Sequence, residues 1–139
     1  NTISIFEIIK LCTKKKYFNE SGGSIIIIAS IAGIIGTPGH SAYSATKGAL
    51  ISAVKSIAIE LSKRNIRVNC VSPGLVETEL LKKTISYLTD EEIQNIKNDY
   101  PLGFGMTSDI SGLVQFLLSD TSRWITGQNI VIDGGFSIK

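Results

Sequence analysis

The feature that most constrains the fold is the apolar run at residues 24–30, with the sequence Ser-Ile-Ile-Ile-Ile-Ala-Ser. Consecutive β-branched residues favour a strand, and the lack of polar alternation predicts that both faces of this strand are buried. Strands of this kind belong mainly to parallel sheets whose faces are covered by helices. The chain is therefore predicted to have an α/β fold.

A long amphipathic helix is predicted over residues 41–64, after a loop at residues 33–39. Small and aliphatic residues recur there every three or four positions, which is the helical period. They are Ala42, Ala45, Ala49, Ala53, Ile57 and Leu61. This helix connects the first predicted strand to the next one and so forms one unit of a parallel sheet.

The remaining elements follow the same alternation of strands and helices. Further strands are predicted over residues 66–71 and 129–133, and further helices over residues 2–18, 91–98 and 107–119. A capping box formed by Thr89 and Glu92 opens the helix at 91–98, and Thr107 or Ser108 is expected to cap the last helix. Long crossovers between strands indicate a three-layer, Rossmann-like parallel sheet of about three strands with flanking helices.

The composition fits one globular domain over residues 1–139, because 43% of the residues are hydrophobic and 19% are charged. A net charge of +2 gives no support for nucleic-acid binding, and no apolar run is long enough to span a membrane. Cys12 and Cys70 fit no metal or redox spacing. We expect buried, reduced thiols in a cytosolic protein without a metal site.

Tyr43 and Lys47 form a candidate site for proton transfer near the start of the long helix. Four helical residues advance about 6 Å and turn slightly more than once, so the two side chains share a face. A cation beside a phenol favours the ionised phenol, which suits acid–base chemistry. Taken alone the pair is weak, because a tyrosine at a helix start is more often a packing residue.

The surroundings of the pair strengthen this interpretation. Ser30 follows the first strand and Pro73-Gly74 closes the second. In parallel sheets, ligands bind beyond the carboxyl ends of the strands, where the helix carrying Tyr43 would also begin. Taken singly, Ser30 is better explained as a strand end and Pro73-Gly74 as a turn. Their convergence with Tyr43 favours a functional site.

These segments together resemble the short-chain dehydrogenase/reductase family. Ser30 stands thirteen residues before Tyr43, and Tyr43-Ser-Ala-Thr-Lys47 matches the family's Tyr-x-x-x-Lys signature. Asn1 resembles the asparagine that opens the preceding helix in that family. The resemblance implies that Ser30, Tyr43, Lys47 and Asn1 are catalytic, with Tyr43 as general acid and base and Asn1 holding a water molecule.

Three further segments carry the resemblance. Residues 67–74, Arg-Val-Asn-Cys-Val-Ser-Pro-Gly, resemble the family segment beside the nicotinamide, and residues 125–128 and 133–135 resemble its C-terminal end. The resemblance implies NAD or NADP as cofactor and a small carbonyl or alcohol as substrate, with some leaning toward 3-oxoacyl thioesters. The implied cofactor-binding residues are Tyr43, Lys47, Pro73, Gly74, Val76 and Thr78.

Some features depart from the family pattern or leave alternatives open. The family's Gly-rich phosphate-binding turn has no counterpart here, so residues 1–139 are expected to be the C-terminal, catalytic portion of a longer domain. Phe104 stands where relatives often have arginine. His40 is a possible base by its chemistry, but the family motif does not use it.

The alternative interpretation is a truncated, non-catalytic product of the same fold, or an oligomerisation module. The helices at 2–18 and 41–64 resemble the family's subunit-interface helices, which implies a homo-oligomer, either a dimer or a tetramer. The coding sequence upstream of residue 1 distinguishes the enzyme from the non-catalytic alternatives, because a Gly-rich turn encoded there would support the enzyme.

Overall fold

Three parallel strands form one sheet in the order β1-β2-β3 in the computed structural model, which describes residues 2–18 and 21–138. The strands are β1 (Gly23–Ile28), β2 (Ile66–Pro73) and β3 (Asn129–Ile132). Ile28 pairs with Val71, and Pro73 pairs with Ile132. The carboxyl ends of all three strands therefore lie at one edge of the sheet. The predicted parallel α/β architecture is confirmed.

Five α-helices flank the sheet within the described residues. They are α1 (Thr2–Cys12), α2 (Ser41–Ser62), α3 (Glu79–Ile85), α4 (Asp90–Asn98) and α5 (Thr107–Leu118). Short 3₁₀ helices at Ile31–Gly33, Asp120–Ser122 and Phe136–Ile138 join them. None of the helices in residues 2–18 and 21–138 is long and apolar enough to cross a membrane.

The two faces of β1 are covered by different helices. Ile25 and Ile27 face the core that β1 forms with α2 and β2, whereas the Ser24 hydroxyl donates to the carbonyl of Leu117 in α5 at 2.8 Å. Because successive side chains of a strand point to opposite faces, α2 and α5 lie on opposite sides of the sheet. This is the three-layer arrangement that the strand composition predicts.

Helix α2 buries its second half against the sheet. The buried residues are Leu50, Val54, Ile57 and Ala58, and they pack against Ile66, Val68 and Cys70 of β2. Ala42, Ala45 and Ala49 of the predicted stripe are exposed instead. The first turns of α2 thus project beyond the core, which leaves room for Tyr43 and Lys47 to face a site.

Helix α1 and its cysteine differ from prediction. The helix ends at Cys12 rather than at residue 18, and residues 13–18 form turns. The apolar face of the helix cannot continue through residues 14–16, because all three are lysines. Cys70 is buried as expected, but Cys12 is exposed, so its predicted burial was wrong.

Two helix starts in the second half also differ. The structure adds α3, which the Thr78 hydroxyl caps by accepting from the Leu81 N–H at 3.2 Å. The capping box of Thr89 and Glu92 at the start of α4 is confirmed. Neither Thr107 nor Ser108 caps α5; the Asp109 carboxylate instead accepts from the Met106 N–H at 2.6 Å. An acidic residue in the first turn also suits the positive end of the helix dipole.

Strand β2 is tied to the segment before β3 through side chains. The Arg67 guanidinium donates to the carbonyls of Leu117, Ser119 and Ile125. The buried Asn69 amide donates to the Ile125 carbonyl and accepts from the Gln128 N–H. These bonds satisfy polar groups that would otherwise be costly to bury, so this part of the Arg-Val-Asn segment has a structural role.

Gly33 allows the segment after β1 to lie directly on α2. A Cβ atom at Gly33 would lie 2.8 Å from the Gly48 nitrogen, the Lys47 carbonyl carbon and the Ile51 Cδ1. Two of these atoms belong to the helix backbone and cannot move aside as a side chain can. The contact fixes residues 30–33 against the helical turn that carries Lys47.

We predict that Gly33→Ala destabilises the full-length gene product by about 1–3 kcal/mol, because the added methyl group overpacks a backbone contact. The free energy of unfolding from urea titration measures this effect. Gly36→Ala is the matched control, since a Cβ at Gly36 meets no atom within 4 Å. Equal stabilities of the two variants would contradict this account of the contact.

Candidate active site

Tyr43 and Lys47 lie on successive turns at the start of α2, as predicted. The Lys47 Nζ is 5.7 Å from the centroid of the Tyr43 ring, which is within cation–π range. The same Nζ donates to the Ile28 carbonyl, at the carboxyl end of β1, with a length of 3.0 Å. The side chain of Tyr43 is 42% exposed. An ammonium held beside a solvent-accessible phenol is an arrangement suited to proton exchange.

Ser30 begins the 3₁₀ helix that Gly33 holds against α2. Its Oγ accepts a hydrogen bond from the Ala32 N–H at 3.2 Å, so the hydroxyl caps this helix. The next two residues, Ile31 and Ala32, line a cavity together with Tyr43. Ser30 and Tyr43 therefore belong to the same end of the molecule. A hydroxyl that accepts one bond retains its own proton for donation.

The cavity beside Tyr43 has a volume of about 410 Å³ and a mostly apolar wall. Its size and character are those of a small-molecule site, because such sites are concave and largely hydrophobic with few polar groups. The wall comes from the segment after β1, the turn after β2 and the region around α3 and α4. Its aliphatic residues include Ile31, Ile35, Leu75, Leu81, Ile85, Leu88 and Ile96.

The turn after β2 separates this cavity from a second one. Gly74 and Leu75 line the cavity beside Tyr43, whereas Leu75 and Val76 line a neighbouring cavity of about 380 Å³. The Gly74 N–H donates to the Ile132 carbonyl at 3.0 Å, which ties the turn to the end of β3. Pro73, Gly74, Val76 and Thr78 thus follow the carboxyl end of β2, close to the segment that contains Ser30.

The predicted role of Asn1 lies outside the described residues. Its chain neighbour Thr2 donates from Oγ1 to the carbonyl of Thr46 at 3.1 Å. Thr46 directly precedes Lys47, so the start of α1 is attached to the turn of α2 that carries the ammonium.

The apolar wall contributed by α3 and α4 was missed by the sequence analysis. Leu81, Ile85 and Leu88 recur at intervals of four and three residues, a pattern typical of one helical face. Because residues 75–105 are otherwise polar and mixed in charge, their composition concealed this stripe. The spacing of these residues was the signal that could have identified the wall.

Three aromatic rings pack together beside the cavity, and two of them, Tyr100 and Phe136, line it. Tyr100 stacks on Phe136 with ring centroids 4.5 Å apart and meets Phe104 edge to face at 5.5 Å. Burial raises the pKa of the Tyr100 hydroxyl, with Asp133 and Asp99 adding to the effect and a hydrogen bond from Leu75 opposing it. Phe104 also lies beneath the Lys97 ammonium, at 5.9 Å. Phe104 thus makes aromatic and cation–π packing contacts here.

Asp133 shapes the turn after β3. Partial burial disfavours its charge, but hydrogen bonds from Ser137 and from the Gly135 N–H outweigh that cost and hold the carboxyl pKa below its usual value. The Asp133 carboxylate therefore stabilises the turn at residues 133–137. No group of three or more His, Cys, Asp or Glu side chains capable of holding a metal ion occurs within residues 2–18 and 21–138.

The buried Cys70 lies behind the site, in β2. Burial raises the pKa of its thiol to about 11, and the charge of Lys47 offsets part of that increase. Its Sγ lies 3.7 Å from the Leu50 carbonyl, inside the core. A thiol in this environment stays protonated at neutral pH and serves as a packing residue.

We predict that Cys70 resists alkylation in the folded full-length gene product at pH 8, while Cys12 is alkylated. With a raised pKa of about 11, only about one Cys70 thiol in a thousand is ionised at that pH. Peptide mass spectrometry after iodoacetamide treatment measures both sites. Urea should make Cys70 reactive, and equal rates for Cys70 in folded and unfolded protein would refute the prediction.

Comparisons with known proteins agree with the fold. A family model described as enoyl-(acyl carrier protein) reductase matches residues 1–137. Human dehydrogenase/reductase SDR family member 4 is 39% identical over 117 residues, covering 84% of this chain and 41% of the relative. The 3-oxoacyl-[acyl-carrier-protein] reductase of Thermotoga maritima is 41% identical over 120 residues, covering 86% and 47%. The chain thus spans less than half the length of these two relatives.

Solved structures show the same backbone arrangement. A 7α-hydroxysteroid dehydrogenase complexed with NADH and 7-oxo glycochenodeoxycholic acid superposes with a TM-score of 0.87 and 31% identity, covering 97% of this chain and 52% of that one. A 4-hydroxyisoleucine dehydrogenase complexed with NADH has a TM-score of 0.83 and 38% identity, covering 99% and 54%.

Proposed function

The chain belongs to the short-chain dehydrogenase/reductase family, and we propose that it forms the catalytic part of an NAD(P)-dependent oxidoreductase. The reaction is the interconversion of a carbonyl and a secondary alcohol. The observation that carries this proposal is the Tyr43 phenol beside the Lys47 ammonium at an apolar cavity. Structural neighbours complexed with NADH support the choice of cofactor.

The residues present fit the nicotinamide end of such a cofactor, which supplies or accepts the hydride when bound. The bond from Lys47 to Ile28 uses one of three ammonium donors, so two are available for ribose hydroxyls. Thr78 accepts a bond from Leu81 and keeps its own proton for donation to a carboxamide. Pro73, Gly74 and Val76 complete the binding segment.

Proton transfer is assigned to Tyr43. In the reducing direction its hydroxyl donates to the developing alkoxide, and in the oxidising direction its phenolate accepts the alcohol proton. The Lys47 ammonium lies 5.7 Å from the centroid of the Tyr43 ring, beside the group that exchanges the proton. Ser30 has its hydroxyl proton free to donate to the reacting oxygen, which stabilises charge as it develops. Asn1 is proposed to hold a water molecule near Lys47.

An apolar acyl chain suits the cavity better than a sugar does. The aliphatic wall formed by residues such as Leu81, Ile85 and Leu88 offers dispersion contacts but few hydrogen bonds. The similarity to a 3-oxoacyl-[acyl-carrier-protein] reductase supports a 3-oxoacyl thioester as the substrate class. Cys12 and Cys70 are free thiols, which supports the cytosol as the proposed location.

We also propose that this chain acts as the C-terminal portion of a longer domain. Among the described residues β1 pairs with β2 alone, so one of its edges presents unpaired backbone groups. The coverage of the relatives supports a missing neighbour at that edge. A non-catalytic fragment remains the competing function, and turnover by the full-length gene product distinguishes the two.

Exposed apolar residues on α1 support a homo-oligomer. Ile3, Phe6, Ile8 and Leu11 are all exposed on this helix, which has no fully buried residue. Side chains of this kind are enriched in the surfaces that bury each other between subunits.

We predict that Phe6→Glu shifts the full-length gene product toward smaller species in sedimentation velocity, because a carboxylate placed in an apolar interface must be desolvated. Leu80→Glu, at a more exposed apolar residue on α3, is the control and should keep the wild-type distribution. An unchanged distribution for Phe6→Glu would argue against an interface formed by α1.

We predict that Tyr43→Phe lowers kcat by about 10²–10⁴-fold in the full-length gene product, since it removes the proton donor without removing the ring. NAD(P)H absorbance with a panel of ketones measures the rate, and circular dichroism checks that the variant folds. Tyr87→Phe is the matched control, because Tyr87 is 92% exposed. Undiminished turnover by Tyr43→Phe would exclude Tyr43 as the acid.

A further inference from the structure

His40 lies beside Tyr43 and lines the same cavity. The two ring centroids are 6.3 Å apart, and the planes meet at 71° in an edge-to-face contact. In the proposed chemistry the Tyr43 hydroxyl meets the reacting oxygen. His40 is therefore placed near the substrate atoms that lie within a few bonds of the reacting carbon.

Helix capping does not account for this histidine. His40 occupies the position before the first residue of α2, where Ser, Thr, Asp or Asn are preferred because their side chains cap the helix. Its imidazole makes no capping bond. Its Nδ1 instead lies 3.1 Å from the carbonyl oxygen of Pro38. The contact with Pro38 in the loop thus positions the His40 side chain, which does not cap the helix.

The bond to Pro38 determines what the other ring nitrogen can do. A carbonyl oxygen only accepts, so Nδ1 must carry the hydrogen that it donates. In the neutral ring Nε2 then has a free lone pair and is a hydrogen-bond acceptor. His40 consequently offers an acceptor at the cavity beside Tyr43.

The other residues that line the cavity determine how far an acceptor at His40 influences which ligands bind. Its wall is mostly apolar, and its other polar lining residues are Thr37, Thr84, Asp99, Tyr43 and Tyr100. A site with an acceptor favours a ligand that supplies a donor over an analogue that lacks one. Because His40 is exposed, water competes for Nε2 and the preference is that of an ordinary net hydrogen bond.

We propose that His40 is a substrate-binding residue whose Nε2 accepts a hydrogen bond from a donor, such as a hydroxyl, close to the reacting carbonyl. This inference rests on the proposed function, because it requires Tyr43 to meet the reacting oxygen. Among ketones of the same carbon skeleton, it gives the site a preference for the one that carries the hydroxyl, whereas a 3-oxoacyl thioester relies on the apolar wall. A 3-oxoacyl thioester has a second carbonyl in that region and gains no bond from a neutral His40.

The test compares a hydroxy ketone with the ketone of the same carbon skeleton that lacks the hydroxyl, using the full-length gene product and NAD(P)H. The wild type should favour the hydroxy ketone by about three- to tenfold in kcat/KM, mainly through KM. His40→Phe keeps a ring against Tyr43 but has no acceptor, so the ratio should fall to about one. His40→Gln offers an amide oxygen and should restore part of the ratio. Tyr87→Phe, on an exposed side chain, should keep the wild-type ratio.

The outcomes separate this inference from the proposed function. An equal ratio in wild type and His40→Phe overturns the role of His40, including the case in which both ketones lose activity alike. A wild type that reduces neither ketone nor any of a wider panel, 3-oxoacyl thioesters included, contradicts the proposed function, and the role of His40 falls with it. A ratio that collapses in His40→Phe and recovers in His40→Gln supports the proposal.

Discussion

The candidate site depends on a backbone contact between the 3₁₀ helix after β1 and the second turn of α2. Gly33 and Gly48 let the two segments approach so closely that a side-chain carbon at Gly33 would collide with the helix. The Lys47 ammonium crosses the same junction to reach the Ile28 carbonyl. A serine from a strand end and a tyrosine from a helix start are therefore held in one rigid frame. Preorganised groups of this kind lose little freedom when substrate binds.

The parallel sheet and its main helix were predictable because their signals are local. The isoleucine run defines β1 without reference to any other part of the chain, and the capping box of Thr89 and Glu92 marks the start of α4. The Tyr43–Lys47 pair follows from helical geometry alone. Elements whose stability is encoded by short-range patterns can be read from one sequence.

Features that arise from tertiary contacts were not predictable in this way. The apolar wall combines Ile35, Leu75 and Ile85 from three separate segments, and no single segment shows its purpose. Ala42, Ala45 and Ala49 fit a helical stripe, yet all three are exposed in the structure. The structural use of Arg67 and Asn69 depends on residues about fifty positions away. The role of Asn1 stays a prediction.

The core cluster and the cavity wall lie in different parts of this molecule. The core cluster draws its residues from α1, β1, α2, β2 and the segments on either side of β1, and it includes none from residues 75–105, which form much of the cavity wall. Substitutions on α3 and α4 can therefore accumulate with little effect on the core. Such a division lets side chains of the cavity wall change while the packed framework stays the same, and it makes these two helices the natural region to randomise when the shape of the cavity is to be altered.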